Sequence, residues 1–215
     1  MMASYHPAEP RPAQEGTTVE RIGTLARDRR VLGLALVLVL VIGGTLFVRS
    51  RDGGTEQEQA QEAVSEGLAA HQEGDLQAAE EAYRRALELD PQNQFAYYNL
   101  GVIRQAQGDL PGAEENYRNA IRIAPDFAAA LFNLAIIRAD AGGAEEAVEL
   151  YRHVIEAAPV EEADPETVRL VAAAHLNLGF LLIDQGDEAE GQAELDEAVR
   201  LDPTLEERVG DGATG

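Results

Sequence analysis

The stretch NLGVIRQAQGD, Asn99–Asp109, returns 34 residues later as NLAIIRADAGG (Asn133–Gly143) and once more as NLGFLLIDQGD (Asn177–Asp187). A catalytic site is normally written once, because one set of groups does the chemistry. Three copies point instead to a recurring supersecondary unit that buries its apolar face only by stacking on its neighbours. Prolines supply the ruler. Pro91, Pro125 and Pro159 are 34 apart, and Pro203 follows after 44, the same period plus an insertion of ten. Counting back from each proline gives units 60–93, 94–127, 128–161 and 172–205, with the insertion at 162–171.

Each unit reads as a pair of helices. In the second, Tyr97, Leu100 and Ile103 form one helical stripe, and Ala113, Tyr117, Ala120 and Ile121 form the next. Gly108-Asp109 and Pro111 mark the turn between them. Pro125 closes the unit, because proline cannot continue a helix and also restrains Ala124 before it. The insertion carries its own start signal: Asp164 as N-cap, Pro165 at the first helical position and Glu166 facing the positive end of the helix dipole. The fourth unit's first helix is therefore expected from about 165 to 185.

These positions resemble the tetratricopeptide repeat, a 34-residue helical hairpin with the pattern W-x2-L-G-x2-Y…A-x3-F…P. The second unit supplies Leu100-Gly101, Ala113, Tyr117, Ala120 and Pro125, and the third Leu134-Ala135, Ala147, Tyr151 and Pro159. The fourth supplies Leu178-Gly179, Leu195, Ala198 and Pro203. The first keeps Gly67, Ala79, Tyr83, Ala86 and Pro91, but has Glu66 where the pattern wants an apolar residue. The resemblance implies an all-α fold: a right-handed superhelical solenoid of about four helix-turn-helix repeats over residues 60–205. Gly67, Gly101, Ala135 and Gly179 then sit where the two helices of a hairpin cross, and a larger side chain would push the axes beyond the usual spacing of about 8–10 Å. Three departures matter. Arg104 and Arg138 stand where the family usually has an aromatic, so packing must use an arginine stem. Gly191 replaces the alanine of the fourth second helix, which is expected to leave that helix the loosest. After Pro203 only one turn of helix and a frayed tail, 206–215, are expected, although a solenoid needs a polar cap at its end.

The same resemblance implies a function. The concave surface of such a solenoid is lined by the first helices of the hairpins and binds extended peptides or protein partners. Its lining positions here are Tyr98, Asn99 and Val102, then Phe132, Asn133 and Ile136, then Leu176, Asn177 and Phe180. This is an apolar strip with one amide per repeat, and a ladder of amides can pair with a peptide main chain as donor and acceptor. The mode in which the family clamps a C-terminal carboxylate needs basic residues on the first three A helices. Val64, Leu68 and Ala129 stand there, and only Asn99 matches, so a chaperone-tail clamp is not expected. Charge runs such as AEEAYRR and GAEEAVEL read as solvated outer faces that favour basic partner segments.

Ahead of the repeats, VLGLALVLVLVIGGTLFV (Val31–Val48) carries no charge. As a helix it would be about 27 Å long, close to the thickness of the hydrocarbon core, with flanking arginines able to snorkel. It reads as a transmembrane anchor, 27–51 with its flanks, rather than a cleaved signal peptide, since no small-residue cleavage site follows it. Arg21, Arg27, Arg29 and Arg30 precede the span and Arg49 and Arg51 follow it. The positive-inside rule then places the N-terminus in the cytoplasm and the repeats outside it, at a cell (inner) membrane. Residues 1–26, with Pro7, Pro10 and Pro12, are expected as a disordered tail. Residues 52–59 form a linker, in which Thr55 and Glu58 fit a capping box that starts the first helix.

Composition closes other routes. A net charge of -22, with all 17 basic residues arginine, argues against nucleic acid, whose binding needs cationic phosphate contacts. The excess of carboxylates fits either a coding bias or adaptation to salt. With no cysteine, thiol nucleophiles and cysteine metal sites are absent, and the four histidines show no metal-ligand spacing. No nucleophile with a base, paired catalytic carboxylates or phosphate loop stands above the repeat pattern, so neither enzyme nor cofactor is expected. A subunit of a membrane-associated enzyme complex is the alternative to a membrane-tethered scaffold.

Overall fold

The computed structural model describes residues 54–160 and 163–212. The expected N-terminal tail and the anchor with its 31–48 span lie outside the described residues. So do the start of the linker, part of the insertion and the last three residues.

Within the described residues the fold is all-helical, a run of four helical hairpins: α1 (Glu56–Glu73) with α2 (Leu76–Leu89), α3 (Gln94–Ala106) with α4 (Leu110–Ile123), α5 (Ala128–Asp140) with α6 (Ala144–Ala157), and α7 (Pro165–Gln185) with α8 (Glu188–Leu201). A 3-10 turn (Pro203–Leu205) and α9 (Glu206–Gly212) end it. The odd-numbered helices α1 to α7 are the A helices and their even partners the B helices. Each B helix packs on its own A helix, and α2, α4 and α6 pack also on the A helix of the next hairpin, which makes the stack a solenoid. The apolar clusters follow suit. Ala79, Tyr83 and Ala86 of α2 share a core with Ala63 and Val64 of α1 and with Ala96, Leu100 and Ile103 of α3.

Local chemistry sets most of the boundaries. Gly74, Gly108, Gly142 and Gly186 end the A helices with φ of 83°, 79°, 79° and 94°, left-handed values that cost a side chain steric strain. The next residue restarts the chain: Asp75 accepts from the Ala78 N–H at 3.0 Å and Asp109 from the Gly112 N–H at 3.1 Å. At the far end Asp90, Ala124 and Asp202 are extended, as a residue before proline must be. Asp164 caps α7 by accepting from the N–H groups of Glu166 and Thr167 at 2.9 and 3.1 Å.

The small residue of the quoted motif now has its reason. A Cβ added to Gly101 would stand 2.5 Å from the Tyr117 ring, and one on Gly67 2.6 Å from Tyr83. Each tyrosine lies flat against its own A helix, so the hairpin closes only over a residue without a side chain, or over the alanine Ala135 in the third. The fourth hairpin closes differently. Leu195 takes the tyrosine position, and Gly179 and Gly191 face each other so closely that a Cβ on Gly191 would be 2.7 Å from the Gly179 carbonyl oxygen. Gly191 therefore does not loosen α8. It is the contact that lets α8 approach α7 backbone to backbone, filling the volume a tyrosine would have occupied.

The first and last hairpins differ from those between them. On α1, Glu62 and Glu66 are exposed where the later A helices bury Ala96, Ala130 and Ala174, and Leu100, Leu134 and Leu178. Those positions face a preceding B helix in the later repeats; the described residues hold none before α1, its outer face is polar, and Glu66 pairs with Arg85. This explains why Glu66 breaks the pattern. At the other end the chain departs from the expected frayed tail. Residues 206–212 are helical, and Leu205 and Val209 pack on the cluster of Leu176, Leu195 and Ala198. By length and composition α7 is apolar enough to cross a membrane. Its Val171, Ala174, Leu178 and Leu182 are buried in the stack, so α7 is a core helix of the solenoid.

Candidate functional site: the A-helix face

Tyr98, Asn99 and Val102 of α3, Phe132, Asn133 and Ile136 of α5, and Asn177 and Phe180 of α7 are all half-buried, each within one turn of its neighbours on the same helix. Tyr98 and Val102 rest on the core formed by α4 and α5, Phe132 and Ile136 on the core around Tyr151, and Phe180 on the terminal cluster. Leu176 does not belong with them. It is 1% exposed and is core. The reason is size and cover: a leucine in the place of Tyr98 and Phe132 is too short to emerge, and Leu205 and Val209 pack on its cluster.

The face also holds residues that sequence reasoning passed over. Leu68 is 42% and Phe95 45% exposed, unusual for such side chains. Leu68 could have been found, since it lies one period before Val102. Phe95 has no periodic signal, because the corresponding residues are Ala129 and Ala173. Phe95 meets Phe127 edge-on at 5.6 Å, Phe127 meets Tyr98 at 5.1 Å, and Tyr98 meets Tyr117 at 5.9 Å. Four rings thus run from the surface of α3 into the joint between the second and third hairpins. A second pair, Phe132 and Tyr151, stands at 5.8 Å in the third.

The amides are less available than the ladder expectation required. Asn133 donates to the Tyr117 hydroxyl at 3.3 Å, and Asn177 to the Tyr151 hydroxyl at 3.3 Å. Each ties its A helix to the B helix before it. Asn99 instead donates to the Phe95 carbonyl of its own helix at 2.8 Å, and the corresponding Tyr83 hydroxyl is buried without a partner. Tyr117 in addition donates to Gln105 at 2.7 Å. Burial pushes the phenols up: Tyr83 and Tyr151 to about 12, and Tyr117 further despite the Asn133 hydrogen bond that opposes the shift. Asn133 and Asn177 are therefore first of all struts between repeats.

Away from this face, the joints between hairpins carry ions. Arg104 reaches Glu80 at 2.6 Å, and Arg138 reaches Glu114 at 3.5 Å and Glu146 at 2.7 Å. The two arginines at aromatic positions thus use their guanidinium groups as well as their stems. An open recess at the tips of the third and fourth hairpins is lined by Arg138, Gly143, Glu145, Glu146, Gln185 and Asp187. Its one cation is already held by Glu114 and Glu146. Among the described residues no cluster of His, Asp and Glu is arranged to hold a metal ion.

Stacked helical hairpins with a continuous apolar A-helix face define an open repeat solenoid, a class that works by contact with other chains. Family profiles described as TPR repeat and tetratricopeptide repeat match residues 67–108, 94–159 and 172–205. The chain is a tetratricopeptide-repeat protein, and such repeats mediate protein–protein interaction. Its fold is similar to that of PilF from Pseudomonas aeruginosa, with a TM-score of 0.58 and 24% identity over 69% of this chain and 63% of that one. MamA gives 0.57 and 19% identity over 69% and 81%. A tetratricopeptide repeat protein from Parabacteroides merdae gives 0.56 and 22% over 68% and 54%. At such identities the likeness establishes the fold alone. No curated protein sequence matches the chain.

Proposed function

We propose that the chain is a membrane-anchored scaffold that holds a protein or extended peptide partner along the concave A-helix face, in support of envelope assembly or secretion. The observation that carries this reading is the unbroken half-buried strip from Tyr98 through Val102, Phe132 and Ile136 to Phe180, extended by exposed Leu68 and Phe95. A monomer that needed none of this surface would cover it or make it polar. The anchor is residues 31–48, with a cytoplasmic N-terminus and extracytoplasmic repeats, supported by the uncharged run and its arginine asymmetry.

The test is site-specific photo-crosslinking in cells with the full chain, placing the reactive group at Val102 or Ile136 and, as a control, at exposed Arg122 on α4. A discrete adduct from the first two positions and none from Arg122 supports the groove. Equal yields from all three would sink it. A compartment-sensitive reporter fused after Gly215 checks the anchor, and activity confined to the cytoplasm would reverse the topology.

A further inference from the structure

Each joint between hairpins holds the two halves of one latch, an asparagine on an A helix and a tyrosine on the B helix before it. The latch is closed at the second and third joints, where Asn133 donates to Tyr117 and Asn177 to Tyr151. At the first joint, between α2 and α3, it is open. The Tyr83 hydroxyl is buried without a partner, in a core shared with Ala96 and Leu100 on either side of Asn99, while the Asn99 amide donates to the Phe95 carbonyl. A buried hydroxyl left unbonded is costly and uncommon, and calls for a role. The other polar ties follow the same order. Among the described residues the first joint has the ion pair of Arg104 with Glu80. The second has Arg138 with Glu114 and Arg118 with Glu146 besides its latch, and the third has Arg152 with Glu190.

We propose that the first joint is the hinge of the solenoid and that Asn99 is its latch: the α1–α2 hairpin turns on α3 while the Asn99 amide rests on Phe95, and locks when that amide takes the Tyr83 hydroxyl. Hairpins tied at one point can turn about it, and a second tie stops them. The amide keeps one hydrogen bond in either seat, so the two states lie close in free energy and both are populated. The turn acts on the groove. Leu68 stands on the moving hairpin and Phe95 on its neighbour, both exposed, so their separation follows the hinge while the strip from Tyr98 to Phe180 keeps its shape. The hinge is a property of the chain alone and stands whether or not a partner fills the groove.

The chain has no cysteine, so pairs of introduced cysteines carry spin labels to chosen places. Glu88, Arg122, Glu156 and Arg200 are exposed and hold the same repeat position on α2, α4, α6 and α8. In the full chain in detergent micelles, Glu88→Cys with Arg122→Cys is expected to give a distance distribution about twice as broad as Arg122→Cys with Glu156→Cys. Asn99→Asp should close the latch, because a carboxylate cannot donate to the Phe95 carbonyl and accepts from the Tyr83 O–H. It is expected to narrow the first distribution to the width of the second, and Tyr83→Phe added to it should restore the breadth. Asn177→Ala is the converse: it leaves the third joint one polar tie and should broaden the distribution between labels at Glu156→Cys and Arg200→Cys. Circular dichroism checks that each variant keeps its helices. Equal widths at the first two joints of the parent would overturn the hinge. The latch is overturned if Asn99→Asp leaves the breadth unchanged, if it narrows the distribution even beside Tyr83→Phe, or if Asn177→Ala has no effect at the third joint.

Discussion

The joint between the second and third hairpins and the joint between the third and fourth occupy the same places in the repeat, yet one pair of equivalent positions carries opposite chemistry in the two. At the earlier joint Glu114 of α4 reaches Arg138 of α5. One period on, those positions are Val148 of α6 and Leu182 of α7, both buried in one apolar cluster. Polarity moves the other way inside the hairpins. Leu131 and Leu150 in the third become His175 and Glu194 in the fourth, hydrogen-bonded at 2.5 Å. The large core ring also changes, from Tyr151 to Leu195, with Gly191 taking up the slack. What the stack requires is that volumes sum correctly where helices cross. Whether a given joint is ionic or apolar is secondary, because a half-exposed ion pair and an apolar pair of similar bulk fill the same space with little net difference in stability.

That comparison can be broken most forcefully at the ring. Tyr117→Ala opens a cavity that the flat crossing of α3 and α4 cannot refill, and should cost about 3–5 kcal/mol by denaturant unfolding. The same truncation at Leu195 should cost less, because leucine removes a smaller volume than tyrosine and the facing glycines already bring the two backbones close. A difference of the opposite sign would show that the fourth hairpin depends on its side chain after all.

The rings also give the first three hairpins an alkaline weakness that the fourth lacks. Tyr83 and Tyr151 titrate near 12 in the folded chain and near 10 when unfolded, so below pH 10 both states are protonated and nothing is lost. As pH climbs through that window the unfolded state loses protons first and stability falls. Tyr83→Phe should flatten that fall and, by removing a hydroxyl with no partner, leave stability at neutral pH unchanged or higher. An unchanged alkaline slope would contradict the burial argument.

Gly191→Ala tests the other side of the comparison. Alanine is the better helix former by about 1 kcal/mol, yet here it must displace the Gly179 carbonyl or the Ile183 side chain, and a net loss of about 1–3 kcal/mol is expected. A gain would restore the view that this helix is loosely held. Smaller still is the strut effect. Asn133→Ala and Asn177→Ala should each cost about 1 kcal/mol, while Asn99→Ala, which frees only a carbonyl of its own helix, should cost a few tenths. The smallest change is expected from Glu114→Val with Arg138→Leu, which copies the later joint into the earlier one and should stay within about 1 kcal/mol of the parent.

The opening motif already held the hairpin, because proline, glycine and a small residue at fixed spacing act through local backbone geometry, and local geometry is written locally. The site was less legible. Eight of the nine lining residues named from the repeat lie half-buried on the A helices, and Leu176 does not. Leu205 and Val209, which follow the last hairpin and carry no periodic signal, pack on its cluster. Phe95 escaped for a related reason: it departs from the repeat, whose later A helices have Ala129 and Ala173 there.

The sequence alone determined the period, the hairpin turns, the early start of α7 and the apolar run ahead of the repeats. These follow from steric rules and burial patterns that need no distant partner. Only the tertiary structure decided that Asn133 and Asn177 are struts, that Glu66 lies on the outer face of the first hairpin, that Gly191 tightens a crossing, and that Leu176 is core. Each of those depends on which surfaces meet across residues far apart in the chain, and a linear pattern fixes spacing along a helix without fixing what stands opposite it.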